Sequence, residues 1–549
     1  MAADKMGGTA MAAVVLLSIT ASCCIASVVL KDTRLGRIRG NRLNVLGRAV
    51  EEYRGIPYAQ PALGRLRFKP PVPAEPWEGT LDASSRRTAC PQVFFFPQDF
   101  ANIEHTEDCL HLNVWSPQER GANEAVPVLA WIHGGGFAQG SATQKTYDGA
   151  VLAARTGLVI VTLNYRLGFL GFLDTQSPDA PGNVGLLDQN MALKWIRDNI
   201  AQFGGDPSKV TIFGESAGGM SAHAHVMSPM SSGLFIRACL MSGTLRHGLY
   251  QTVNESISKG NAVAAAVGCA YHDRNLTTNP EAVVECLRSK SAFELANVSS
   301  EIFEPKLFPF LPTYPNEFLP VEPSTAVDQG LFNAADLMVG VTADEGALAL
   351  MLTMRNDILA DNLHDVVGKE FEDTLRECIY VWLKTNFSRP LDVYTADTHD
   401  ERSLRRAYVD YLSDLTFVCA MHITAEGHSN KEHSVYSYVF GHLSKKKALT
   451  AWMGTPHGFD VSYVFGGPLE DQEFFNSEDA EVSEVVMTAL STFASTGVPQ
   501  LPGEYPWPKY TADNPVSVYI SANNLTDISG FHMEKCNVWK SYWKMLSAV

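Results

Sequence analysis

Basic residues are in short supply in this chain. It carries 43 Lys and Arg against 60 Asp and Glu, a formal net charge of −17 spread along its length rather than gathered in a tail. A nucleic-acid partner calls for a basic face, so none is expected; the acidity serves solubility and can steer cationic substrates. No Cys/His group has metal-ligand spacing, and the Asp/Asn-rich stretches lack a calcium-loop pattern, so no metal and no cofactor are expected. Also missing are internal repeats, low-complexity tracts and Gly/Ser- or Pro-rich linkers, so residues 27–549 read as one large domain despite their length. Hydrophobic content of 46% with 19% charged residues is ordinary for a globular chain with a sizeable core. Long hydrophobic runs are absent too. The apolar stretch from Met11 to Ile19, behind Lys5 and closed by small residues, is too short to span a bilayer. It reads as a secretory signal, residues 1–26, cleaved near Ala26–Ser27. Lys544 to Val549 holds neither a retention tetrapeptide nor an apolar anchoring tail, so a secreted, extracellular protein without a membrane anchor is expected.

Against these absences stands one short run, Gly214-Glu215-Ser216-Ala217-Gly218, between the β-type stretch Lys209–Phe213 and the small residues Gly219, Met220, Ser221 and Ala222. G-x-S-x-G between a strand and a helix puts the serine on a strained turn with its hydroxyl projecting from the sheet. Upstream, the apolar Val126–Ile132 runs into His133-Gly134-Gly135-Gly136-Phe137. Acyl transfer needs preorganised N–H donors for the developing oxyanion. A glycine-rich strand end supplies them beside the one after the nucleophile, here Gly135, Gly136 and Ala217. A serine also needs a base, itself oriented by a carboxylate. Of 15 histidines, His457 stands out, in the Gly/Pro-rich loop Trp452-Met453-Gly454-Thr455-Pro456-His457-Gly458-Phe459. The apolar Leu337–Ala343 ends in Asp344-Glu345, and spacing alone leaves these two acids equal.

Further motifs recur in order: Glu52-Tyr53-Arg54-Gly55-Ile56-Pro57-Tyr58-Ala59, Glu107-Asp108-Cys109-Leu110-His111-Leu112-Asn113-Val114, Asn164-Tyr165-Arg166-Leu167-Gly168, Gly182-Asn183-Val184-Gly185-Leu186-Leu187-Asp188-Gln189, and Phe203-Gly204-Gly205-Asp206-Pro207. From about Val28 to about Trp543 the chain resembles type-B carboxylesterases of the cholinesterase/carboxylesterase family. The resemblance implies an α/β-hydrolase fold, a large mostly parallel sheet flanked by helices in a single domain. It implies Ser216 as nucleophile, Glu345 rather than Asp344 as the acid, and His457 as base, with Glu215 and Ser242 as electrostatic support. It further implies small-molecule carboxylic esters as substrates, organophosphates and carbamates as inhibitors, and a monomer or weak dimer. Some relatives keep this fold without the serine and act in adhesion; the intact triad positions here point to chemistry instead.

Ten cysteines, two of them in the signal, leave eight. The resemblance pairs Cys90 with Cys109, Cys269 with Cys286, and Cys419 with Cys536, leaving Cys239 and Cys378 as buried thiols. Sequons at Asn254, Asn275, Asn297, Asn386 and Asn524 are glycosylation candidates. Cholinesterases hold a quaternary ammonium on aromatic faces. Their choline-binding tryptophan would fall between Cys90 and Cys109, where this chain has Phe94, Phe95, Phe96 and Phe100 but no Trp. Leu348 and Ala349 stand where those enzymes have gorge aromatics, whereas Trp452-Met453-Gly454 is cholinesterase-like. Glu215 stands where juvenile hormone esterases usually carry Gln. Phe303, Phe308 and Phe310, within Glu301 to Pro320, are expected at the acyl pocket. The sequence therefore predicts broad carboxylic-ester hydrolysis, with a cholinesterase as the alternative.

Overall fold

The protein is described by a computed structural model covering residues 27–85, 88–93, 103–119, 124–245, 249–302, 309–353, 388–431, 433–446, 451–522 and 524–546. The signal segment, Phe94 to Phe100, Phe303, Phe308, Cys378 and Asn386 lie outside the described residues.

One thirteen-stranded sheet organises the chain. Its strands are β1 (Ser27–Asp32), β2 (Arg37–Val45), β3 (Arg48–Pro57), β4 (Thr80–Asp82), β5 (His111–Pro117), β6 (Val126–Ile132) and β7 (Val159–Leu163). There follow β8 (Gly205–Glu215), β9 (Arg237–Met241), β10 (Asp336–Thr342), β11 (Val435–Phe440), β12 (Val516–Ser521) and β13 (Asn524–Ser529). The spatial order is β1-β2-β3-β5-β7-β6-β8-β9-β10-β11-β12-β13, with β4 beside β2. From β7 to β12 every neighbouring pair is parallel; the outer strands pair antiparallel, except that β4 lies parallel to β2.

Parallel strands covered on both faces read as continuous apolar runs. Accordingly β7 and β11 are buried at every position. Side chains alternate between two core layers, as the two-residue strand period requires. In β6, Val128, Ala130 and Ile132 enter one layer while Leu129 and Trp131 enter the other. Helices α1 (Val184–Asn199) and α2 (Ala217–Met227) contribute to the first layer, and α6 (Ser477–Thr496) to the second. Between them in sequence come α3 (Gly346–Thr353), α4 (Glu401–Ser413) and α5 (Cys419–Ser429), with α7 (Met533–Leu546) last.

Several sequence motifs turn out to brace the frame. Arg166 clasps the fully buried Asp188 with Nε–Oδ2 at 2.7 Å and Nη2–Oδ1 at 2.6 Å. Arg67 forks onto Glu107 with two 2.7 Å contacts while Nη1 donates to the Lys290 carbonyl. Such bidentate pairs combine charge with fixed geometry; here one ties a loop to α1 and the other joins two loops. Three disulfides join Cys90 to Cys109, Cys269 to Cys286, and Cys419 on α5 to Cys536 on α7; Cys239 is a buried free thiol.

The parallel core has one consequence for chemistry. β6, β8, β10 and β11 all point the same way, so the segments leaving their C-terminal ends gather at one edge of the sheet, where ligands bind in open α/β sheets.

Candidate active site

Each element of the site leaves one of those strand ends. β8 finishes at Glu215, and Ser216 follows with φ 56° and ψ −125° before α2 starts. A non-glycine residue at positive φ is uncommon, and this one is held by its N–H donating to Met241 O at 2.9 Å. Gly218 permits the turn: a Cβ there would lie 2.0 Å from the Ile132 carbonyl oxygen. β6 delivers the glycine loop beside the serine. A Cβ on Gly134 would sit 2.6 Å from Glu215 O and 3.1 Å from Ser216 Cβ. Gly135 and Gly136 take φ of +102° and +64°, conformations that glycine adopts freely. Ala217 begins α2, so its N–H belongs to the positive end of a helix.

β10 ends at Thr342, and the two adjacent acids diverge. Glu345 is fully buried. Its Oε1 accepts from Ser242 Oγ at 2.5 Å and from Thr342 N at 2.7 Å, and its Oε2 lies 2.6 Å from His457 Nδ1. Asp344 turns elsewhere: Oδ2 accepts from Thr455 N at 2.7 Å, Asp344 N donates to Thr455 O at 3.1 Å, and Oδ1 pairs with Arg406. One acid meets the imidazole and the other fastens its loop. His457 Nε2 lies 3.0 Å from Glu215 Oε1.

Burial dominates the electrostatics. It pushes Glu215 up to about 7 against the pull of His457, with Glu345 adding to the rise. His457 is desolvated as well, yet Glu215 and Glu345 overcome that and raise it to about 9. Asp460, three residues after His457 and buried, is pushed up to about 8 by desolvation and by the same two carboxylates, and Tyr438 Oη donates to it at 3.3 Å. Titrations so closely coupled belong to the group rather than to single residues. His133 is different: burial lowers it to about 4, and it stacks on Tyr165, so it stays neutral beneath the glycine loop.

Sequence reasoning missed Asp460 and Phe417. The Phe417 ring stacks on His457 with centroids 4.3 Å apart and planes 16° apart. Only the offset of three from His457 could have drawn attention to Asp460, and no pattern marks Phe417. Trp452 is half-buried, with the Arg405 guanidinium 5.3 Å above its ring. Leu348 and Ala349 sit on α3, the latter buried. A small pocket opens beyond the glycine loop, lined by Gln92, Ala138, Phe169, Leu170, Ser299 and Ser300. Phe310 is buried and packs edge-on to Phe169. Asn254, Asn297 and Asn524 are exposed and Asn275 is half-exposed. Among the described residues, the one set of His, Cys and carboxylate atoms close enough for a metal is Asp414 with Cys419 and Cys536, and both sulfurs are committed to a disulfide.

Comparison with known proteins agrees with this architecture. The model of the Carboxylesterase family matches residues 27–539. An acetylcholinesterase of Bungarus fasciatus is 35% identical over 536 residues, covering 94% of this chain and 87% of the relative. An acetylcholinesterase of Leptinotarsa decemlineata is 33% identical over 547 residues, covering 93% and 85%. With a strand-to-helix serine turn, a glycine loop beside it and a buried Glu–His contact at the ends of parallel strands, the chain belongs to the carboxylesterase family.

Proposed function

We propose that this protein is a secreted serine hydrolase of carboxylic esters, with Ser216 as nucleophile, His457 as general base and Glu345 as the acid that orients it. The observation that carries this reading is the 2.6 Å contact between His457 Nδ1 and Glu345 Oε2, a carboxylate–imidazole pair at the strand edge that presents the strained serine. Nδ1 donates to Glu345, so the neutral imidazole has its lone pair on Nε2. That nitrogen takes the Ser216 hydroxyl proton as Oγ bonds to the ester carbonyl carbon. The N–H groups of Gly135, Gly136 and Ala217 hold the oxyanion. As the C–O bond to the alcohol breaks, the imidazolium returns its proton to the leaving oxygen. Water, deprotonated by His457, then bonds to the acyl carbon, and the imidazolium returns that proton to Ser216 Oγ as the acid leaves. Glu345 stabilises each imidazolium, and its bonds from Ser242 and Thr342 keep it aimed. Glu215, on the Nε2 side, adds a second negative neighbour.

Broad ester specificity is the preferred substrate reading. The Cys90–Cys109 segment has no tryptophan, Leu348 and Ala349 offer no aromatic face, and Arg405 covers a face of Trp452 with its own cation. The names of the two relatives and the Trp452-Met453-Gly454 segment favour the second reading, a cholinesterase. Export through an oxidising compartment fits the three disulfides and the exposed sequon asparagines. Residues 1–26 are then the leader and 27–549 the mature domain.

The test is covalent. Intact-mass analysis after exposure to an organophosphate is expected to show one adduct on the wild type and none on Ser216→Ala, with turnover lost. An adduct on the Ala variant would move the nucleophile elsewhere, and an unlabelled wild type would favour the adhesion class.

A further inference from the structure

Between α4 and α5 the helix widens into a π turn over Asp414–Val418, closed by Cys419 N donating to Asp414 O. Single π turns cluster at functional sites because the extra residue re-aims the side chains that follow. This one is anchored at its start and its end. Asp414 is buried and accepts from Tyr394 Oη at 2.5 Å and from His532 Nδ1 at 2.6 Å. The next residue, Cys419, is bonded to Cys536 on α7. What the turn presents is Phe417, 8% exposed, lying face to face with the His457 imidazole at 4.3 Å and 16°.

His457 is held at Nδ1 by its hydrogen bond to Glu345, and Glu215 Oε1 lies 3.0 Å from Nε2 on the opposite side of the ring. Neither contact stops the ring from rocking about the line joining them. A stacked ring does. The stack also puts the ring face, the negative side of its quadrupole, against an imidazole that becomes a cation during turnover. Neutral imidazole gains less from that contact, so the interaction favours the charged form that the transition state resembles.

We propose that Phe417 is a positioning residue for the general base, holding the plane of the His457 ring and stabilising its protonated form. The proposal rests on the reading of His457 as that base. The ionisable groups facing His457 are Glu215 at the end of β8, Glu345 after β10, and Asp460 at the start of the short helix Val461–Val464; none of them is substituted in the variants below.

The experiment compares Phe417→Leu and Phe417→Met, which keep apolar volume without a ring, with Phe417→Tyr, which keeps the ring. Neutral p-nitrophenyl esters are the substrates, and thermal melting checks folding. Losing a desolvated cation–π contact is expected to lower kcat about three- to thirty-fold with KM nearly unchanged. Imidazolium loses stabilisation, so its pKa falls and the acid limb of kcat/KM moves to lower pH, by about half a unit to one and a half. Phe417→Tyr retains both properties. If the folded aliphatic variant matches wild type in kcat and acid limb, or if Tyr falls as far as Leu and Met, Phe417 only fills space and the proposal is overturned. A wild type that hydrolyses no ester overturns the reading of the site itself, a separate outcome.

Discussion

At the scale of single residues, adjacent carboxylates with the same chemistry are separated by what surrounds them. Glu345 meets the imidazole, whereas Asp344 holds Thr455 and Arg406. Glu345→Gln is therefore expected to reduce kcat by about three to four orders of magnitude, as loss of a triad carboxylate does. Asp344→Asn, whose amide oxygen still accepts from Thr455 N, is expected to stay within about tenfold of wild type. Steady-state kinetics of the two variants checks the ranking, and a reversed order moves the acid role to Asp344. Glu215 makes a different prediction. Its negative charge is a main reason that His457 rises to about 9 despite burial. Glu215→Gln removes that anion, imidazolium becomes less favourable, and the base is free at lower pH. The acid limb of kcat/KM is expected to shift downward; an upward shift in the measured profile would contradict the arrangement. The Asp344–Glu345 choice was not legible from spacing, because neighbours in a turn leave it in different directions and only the packed fold says where each points.

At the scale of elements, the loop from Ala451 to His457 is the piece most exposed to small changes. Gly454 has φ +58°, and a Cβ there would lie 2.0 Å from Asp344 Oδ2. Gly454→Ala must displace either the loop or Asp344, and both routes disturb the bond to Thr455 two residues before His457. Misplacing a reacting group by about 1 Å costs on the order of a hundredfold, so kcat is expected to fall by roughly that factor with KM little changed. Stopped-flow or steady-state turnover beside a melting curve separates this from unfolding; an unchanged kcat would show that the loop tolerates the shift. Elements themselves were largely legible. Continuous apolar runs such as Val126–Ile132 announced buried strands, and the small residues after Ser216 announced a helix packed close to the sheet. The π turn at Asp414–Val418 was not, since its sequence continues an ordinary helical pattern; the contacts that hold Asp414 at its start, from Tyr394 and His532, come from segments distant in sequence.

For the whole molecule, the question is what the enzyme admits. A choline head group needs aromatic faces, each worth about 0.5 to 2 kcal/mol when desolvated. This chain has no tryptophan between Cys90 and Cys109, aliphatic residues at Leu348 and Ala349, and Arg405 already on Trp452. Losing two or three such contacts lowers choline selectivity by about one to three decades. Neutral acetate esters are thus expected to have kcat/KM at least equal to that of acetylthiocholine. A panel run side by side at fixed ionic strength decides it, because the net charge of −17 steers cations in a salt-dependent way. Acetylthiocholine far ahead of every neutral acetate would promote the cholinesterase reading.

Read as a string, the chain already determined its family resemblance, its strand-to-helix serine turn and its glycine loop. These are local patterns, because tight turns and close backbone approach demand particular residues at fixed offsets. Spacing left Asp344 and Glu345 equal and the resemblance named Glu345; only the tertiary structure decided that Asp460 joins Glu215 beside His457 and that Phe417 covers its face. Glu215, Glu345 and His457 come from segments more than a hundred residues apart, brought to one edge by parallel strands, and Phe417 reaches the same place from a helix. Their contacts depend on sheet order and on the desolvation that packing imposes, neither of which a local pattern encodes.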